Sequence, residues 1–305
     1  MFGQFLLAFR ETLEAAFVTS IILAYLARTE RRTLIRYAWR GVYLAVLTSL
    51  IFGAFIWFLY GGLSGPVKML FEGTAALLAV MVLSSMIYWM ASKGRRIKTD
   101  VEKRLKEIVT REATLTLTFF SFIVVFREGL ESVLFLTPFL LEDFTGTLVG
   151  VLLGVASSLT FAYVTFVAGM KINIRRFFYT TSILLVLLAG GLAGYGVHEL
   201  AEYSEETNVD LGWLGEQAYN LGIPEGSPLH HKGVAGSVLA VMFGYTVEAE
   251  WIRVIVHVAY LVIALPMVIW VYRKRTDTKP IHQKREAAHD HSSPETSSKD
   301  HSVRL

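Results

Sequence analysis

Seven apolar stretches divide the chain, near 3–27, 40–60, 67–91, 114–141, 146–169, 177–200 and 251–272. A helix needs about 20 predominantly apolar residues to cross the hydrocarbon of a bilayer. The pattern therefore predicts seven transmembrane helices joined mostly by short polar connections. Two of the seven are interrupted by charge: the first holds Arg10, Glu11 and Glu14, the fourth Arg127, Glu128 and Glu131. The stretch Gly233–Tyr245 is apolar but too short to span, and is expected to lie on the membrane surface or re-enter it. Beyond Pro280 the sequence turns polar, with His282, His289, His291 and His301 scattered through it, and reads as a disordered tail.

Composition narrows the class without changing it. Apolar residues make up 53% of the 305 and charged ones 18%, with a mean hydropathy of +0.48. These values fit an all-α, polytopic integral membrane protein. There is no cysteine, which excludes disulfides, iron–sulfur clusters and thiolate metal sites and leaves oxygen and imidazole as metal donors. Met1–Phe9 lacks the basic residues that open a cleavable signal peptide, so none is expected. The pI near 9.0 does not point to nucleic acid, because the basic residues sit between apolar runs rather than on a soluble patch.

Those basic residues orient the chain instead. Of the 29 Lys and Arg, 24 fall in the connections 28–40, 91–112 and 171–176 and in the tail from Arg273, against only Lys68 and Lys232 in the opposite loops. Cytoplasmic loops carry the excess of Lys and Arg, so the N-terminus is expected outside and the C-terminus in the cytoplasm. Trp39, Trp57, Trp89, Trp251 and Trp270 lie at predicted span ends, where an amphipathic ring prefers the interface. The resulting division is a seven-helix unit over 1–272 and a tail over 273–305. Within the unit, repeat one covers about 1–91 and repeat two about 114–200, with an outer loop 201–250 and the seventh helix 251–272.

The two charged stretches are copies of each other. FLLAFRETLE (5–14) returns as FIVVFREGLE (122–131), identical at six of ten positions with a constant offset of 117. Under the orientation above the first runs inward and the second outward, as two inverted three-helix repeats would place them, with a substrate site near the midplane where they meet. Residues three and four apart share a helix face. Glu11 and Glu14 therefore point together, with Arg10 one turn from Glu14, and Glu128, Glu131 and Arg127 repeat the arrangement. An ionised residue at mid-membrane costs about 2.5–3.5 kcal/mol on insertion scales, so the six must face the interior and compensate one another. A buried ion-pair network that fixes helix register is the plainer reading of such charges. Four glutamates against two arginines leave a surplus of two negative charges, which a hard di- or trivalent cation in a four-carboxylate cage would balance.

R-E-x-x-E in the first and fourth of seven spans resembles the oxidase-dependent iron transporter family, the high-affinity iron permeases of fungi and the Efe-type iron uptake permeases of bacteria. The likeness runs from Met1 to about Tyr272 and takes in FEGTAALLAVMVLSSMIYWM (71–90), GYGVHELAE (194–202) and GSVLAVMFGY (236–245). It implies inward iron transport, with Glu11, Glu14, Glu128 and Glu131 as iron ligands and Arg10 and Arg127 as their motif partners. Thr12 departs from the family's usual glycine, which the second copy keeps as Gly129. The 305 residues include no ferroxidase-like segment, so an oxidation step is expected to need a separate ferroxidase or extracytoplasmic iron-delivery protein.

A second group of acids lies toward the outside. Glu72 opens the third span, where the helix dipole alone would favour it, and the resemblance adds a role at the entrance. His198, Glu199 and Glu202 form a third E-x-x-E at the outer end of the sixth span; the alternative to an outer metal entrance is a merely solvated helix end. Glu142 and Asp143 are ordinary loop acids, Glu248 and Glu250 read as interfacial anchors, and His230 and His231 as incidental loop residues. His257 reads as a hydrogen-bonded packing residue, and Met81, Met86 and Met90 as core fillers. Gly150/Gly154 and Gly190/Gly194 permit close helix contact.

The expected function is an iron permease of the cell membrane (the cytoplasmic membrane in a prokaryote) rather than an enzyme, with iron as the transported substrate and no organic cofactor. No phosphate-binding glycine loop is present to couple it to ATP. The alternatives are a permease for manganese or lead on the same carboxylates, or a membrane-embedded carboxylate-iron oxidoreductase. The oxidoreductase is disfavoured because His198 is the only histidine in the first six spans.

Overall fold

The computed structural model describes residues 1–93, 97–110, 114–166, 174–224, 226–230, 236, 239–240 and 243–274. The histidine-bearing tail, His231, and most of the apolar stretch Gly233–Tyr245 lie outside the described residues. Long helices dominate: α1 (Phe2–Arg28), α2 (Ile35–Gly61), α3 (Pro66–Lys93), α4 (Ile97–Thr110), α5 (Thr114–Glu142), α6 (Phe144–Phe166), α7 (Ile174–Glu206) and α8 (Trp251–Lys274). Five of them, α2, α3, α6, α7 and α8, are long and apolar enough to cross a membrane, and the chain is an all-helical, polytopic membrane protein. The helices α1 and α5 are as long, at 27 and 29 residues, but each carries the three charges of its motif.

Local sequence explains where the helices start and stop. Pro66 opens α3, where its missing N–H costs nothing, after Gly65 at φ 58°. Asp143 Oδ1 accepts from Gly146 N at 2.9 Å and caps α6, a structural role for this loop acid. Pro138 lies inside α5, which continues past it to Glu142.

Two features depart from the sequence expectation. The basic connection 91–112 contains α4, an amphipathic helix whose Val101, Leu105 and Val109 are buried with Val18, Ile21, Ile22 and Leu26 of α1 and Leu117 of α5. Their four-residue spacing makes a single apolar stripe. The loop between α7 and α8 carries a small antiparallel pair, β1 (Gln217–Asn220) with β2 (Glu248–Glu250). The pair returns the end of that loop to the mouth of the bundle.

Packing is reciprocal. The helix α1 lies on α6 and α5 lies on α2, α1 and α5 meet each other, and α3 pairs with α7, which also packs on α8. A Cβ on Gly41 of α2 would stand 2.3 Å from Thr118 O, 2.9 Å from Ser121 Cβ and 2.9 Å from Phe122 N. A Cβ on Gly150 of α6 would stand 2.8 Å from Met1 O, 3.0 Å from Gln4 Cβ and 3.3 Å from Phe5 N. These are equivalent atoms of α5 and α1, displaced by the same 117 residues that separate the two charged motifs. Glycine at both positions lets each helix pair approach backbone to backbone.

The main core joins α1 and α5 to α3, α7 and α8 through Leu6, Leu7, Phe135 and Phe139 against Leu83, Met86, Leu185 and Leu188. By contrast α2 buries only Ala38, Gly41, Ala45, Ser49 and Tyr60, and turns Leu47, Leu50, Ile51, Phe55 and Phe58 outward. An apolar surface of that extent suits lipid rather than water.

Candidate metal centre

The charges of α1 and α5 meet inside the bundle. Arg10 and Glu11 are each 1% exposed. Arg10 Nη1 donates to Glu11 Oε1 at 2.7 Å and also reaches Met86 Sδ on α3 at 2.8 Å. Its Nη2 lies 2.7 Å from Glu14 Oε1 one turn on. On α5, Arg127 Nε donates to Glu131 Oε1 at 2.8 Å, and its guanidinium lies 4.9 Å from the centroid of the Trp89 ring. One carboxylate oxygen from each of Glu11, Glu128 and Glu131 falls within 4.8 Å of the other two. Donors on opposite sides of a metal with carboxylate bonds of about 2.2 Å stand about 4.4 Å apart, so one ion fits among the three.

Each of these carboxylates also keeps one oxygen without a hydrogen-bond partner among the described residues. Glu11 Oε2, Glu128 Oε2 and Glu131 Oε2 are buried and accept no hydrogen bond within the described residues. A buried acceptor without a donor is costly, and a cation is the natural partner for such oxygens on three carboxylates that converge. Of the four motif glutamates, three gather in this way. Glu14 is paired with Arg10.

At the other end of α3 and α7 the second group of acids also assembles. Ligand atoms of His198, Glu199 and Glu202 lie within 4.8 Å of one another. His198 Nε2 is 3.4 Å from Glu202 Oε1, and His198 Nδ1 donates to Glu250 Oε2 at 3.1 Å. Glu250 was expected only as an interfacial anchor; strand β2 brings it to the histidine. Burial raises the Glu250 carboxyl, but the hydrogen bond and charge of His198 outweigh that and hold it below the usual range. Glu72 accepts from Tyr60 Oη at 2.5 Å and from Tyr195 Oη at 3.1 Å, with Lys68 Nζ at 3.9 Å.

Several other residues sit differently from the sequence reading. Met86 and Met90 are buried, whereas Met81 is exposed on the outer surface of α3. His230 is buried rather than a surface loop residue. His257 Nδ1 is buried without a hydrogen-bond partner among the described residues, beneath the backbone of Gly244. Sequence spacing alone signalled neither Met86 and Trp89 at the motif charges nor the two tyrosines on Glu72.

Comparison with known proteins bears on what this arrangement serves. A protein of Archaeoglobus fulgidus described only as uncharacterized is 41% identical over 277 residues, spanning 91% of this chain and 98% of that protein. Ferrous iron permease EfeU of Escherichia coli O6:H1 is 31% identical over 268 residues, 87% of this chain and 94% of its own length. The protein of the same name from Yersinia pestis is also 31% identical, over 87% of this chain and 92% of its own. No solved structure matches the chain. The iron permease FTR1 family matches residues 1–288, and the chain belongs to that family.

Proposed function

We propose that this protein imports iron through a central site made by the two R-E-x-x-E motifs, Glu11, Glu14, Glu128 and Glu131, with Arg10 and Arg127 offsetting part of their charge. Membership of the family makes iron the transported substrate and the protein a membrane transporter rather than an enzyme. The name of the EfeU relatives specifies ferrous iron. One observation carries the site: three carboxylates from two helices converge, each with one buried oxygen unpartnered among the described residues.

All seven long helices span the bilayer in this reading, with the N-terminus outside and α1–α3 inverted relative to α5–α7. The matched contacts of Gly41 and Gly150 support that relation, as does the reciprocal pairing of α1 with α6 and α5 with α2. Successive turns of α6, at Gly150 and Gly154, meet successive turns of α1, at Gln4 and Ala8, so these two helices run parallel. Only Asp143 separates α5 from α6, and a chain that doubles back there sets α5 antiparallel to α1. Iron would gather at the outer acids, Glu72, His198, Glu199 and Glu202, pass to the central site, and leave inward as the two repeats rearrange.

Radioactive iron uptake into proteoliposomes tests the site. Glu131→Ala is expected to lower uptake by about tenfold or more, the scale of losing a support of a metal ligand set. Glu14→Ala, which removes a carboxylate outside the converging trio, is expected to lower it less. Wild-type uptake in a correctly folded Glu131→Ala protein would refute the central site.

A further inference from the structure

The N-terminal end of α2 carries arginines that the central site does not use. Arg28, Arg31, Arg32, Arg36 and Arg40 fall within thirteen residues whose only acid is Glu30. Two of them are held in one arrangement. The Arg36 guanidinium lies 4.9 Å, and that of Arg40 5.1 Å, from the centroid of the same Tyr37 ring. Arg36 Nη2 also donates to Tyr37 Oη at 3.3 Å. Tyr37 is in turn fixed to α5, its carbonyl accepting from Thr118 Oγ1 at 3.1 Å. Both arginines are exposed, and among the described residues neither is paired with a carboxylate. The ring attracts both cations and leaves most of their N–H groups open.

The same face of α2 continues as apolar surface. Arg36, Arg40, Tyr43, Leu47 and Leu50 recur at steps of three and four residues, so they form one row along the helix. Tyr43, Leu47 and Leu50 are all exposed. From Arg40 to Leu50 the helix rises about 15 Å, half of a hydrocarbon core about 30 Å thick. The row has the proportions of one lipid, with a cationic end and an apolar length one leaflet deep.

We infer that Arg36 and Arg40, set on Tyr37, clamp the phosphate of an anionic phospholipid whose acyl chains lie along Tyr43, Leu47 and Leu50. Guanidinium N–H groups match phosphate oxygens in pairs. Arg28 and Arg32, just before the pair in the chain, are also exposed and without a carboxylate partner among the described residues. Their charge repels the ammonium of a zwitterionic headgroup and favours one that is negative overall. Because α2 packs along α5, a lipid seated there braces the helix of the second motif from the membrane side.

Thermal unfolding of the purified full-length protein in a non-ionic detergent tests the clamp, without iron and so independently of the central site. Phosphatidylglycerol is expected to raise the unfolding temperature by a few degrees and to saturate, and phosphatidylcholine of the same chains to leave it unchanged. Arg36→Gln and Arg40→Gln should each weaken the rise, and together abolish it. Arg28→Gln with Arg32→Gln removes the same charge away from the ring and should keep most of it. No rise with phosphatidylglycerol, an equal rise with phosphatidylcholine or with inorganic phosphate, or equal losses in the two double variants overturns the proposal.

Discussion

The two motif copies share six of ten residues but hold their arginines differently. Arg10 is enclosed, bonded to Glu11 and Met86 and paired with Glu14. The Arg127 side chain is 46% exposed, pairs only with Glu131 among the described residues, and stacks on Trp89. The copies also differ in the middle of the motif. Thr12 occupies the position that the second copy fills with Gly129, and a Cβ on Gly129 would stand 2.0 Å from Ser49 Oγ. Local sequence is therefore nearly the same in both copies, and the difference lies in what surrounds them. The surroundings of α1 bury its guanidinium completely, whereas those of α5 leave one face of its guanidinium open.

The largest expected consequence separates the arginines. Arg10→Met would leave Glu11 and Glu14 buried without their cation, and breaking a buried pair in that way costs about 3–5 kcal/mol. The same change at Arg127 removes a half-exposed pair, worth less than about 1 kcal/mol. Thermal unfolding of the two variants in the same detergent measures the gap. Equal losses would show that the enclosure of Arg10 is unimportant.

Swapping the middle residue gives a smaller effect. Gly129→Thr drives a side chain into Ser49 on α2, and overpacking of this kind costs about 1–3 kcal/mol. The converse Thr12→Gly removes bulk and loses about 0.5–1 kcal/mol of helix stability. Combining Gly129→Thr with Ser49→Ala should recover part of the loss, since the hydroxyl is the nearest obstacle. A double variant no better than the single one would mean that the clash lies with the Ser49 Cβ, 2.7 Å away, which alanine keeps.

Much of this was legible in the sequence, because the two governing signals are strong and local. Length and apolarity marked all seven long helices to within a few residues, and the offset of 117 marked the paired motifs. The helix α4 was hidden because charged residues outnumber its Val101, Leu105 and Val109 stripe, and a charge-rich connection reads as loop. Glu250 was missed because it meets His198 across 52 positions, through a strand pair that only the folded loop creates. The convergence of Tyr60, Glu72 and Tyr195 joins three helices, and no spacing rule reaches between helices. Spacing placed Glu11 and Glu14 on one face, and Arg10 contacts both of them, but it could not say which oxygens of α1 would meet those of α5.

The smallest effect concerns the open side of Arg127. Its guanidinium stacks on Trp89 at 4.9 Å, and a cation over an indole at an exposed site contributes about 0.5–1 kcal/mol. Trp89→Leu alone would also change packing at the C-terminal end of α3, so the single variant does not isolate the contact. A double-mutant cycle with Arg127→Met does, because the packing change is common to both arms and cancels. The coupling expected from thermal unfolding is about 0.5–1 kcal/mol. A coupling near zero would mean that Glu131 alone holds Arg127, and that the second copy, unlike the first with Met86, draws no support for its arginine from α3.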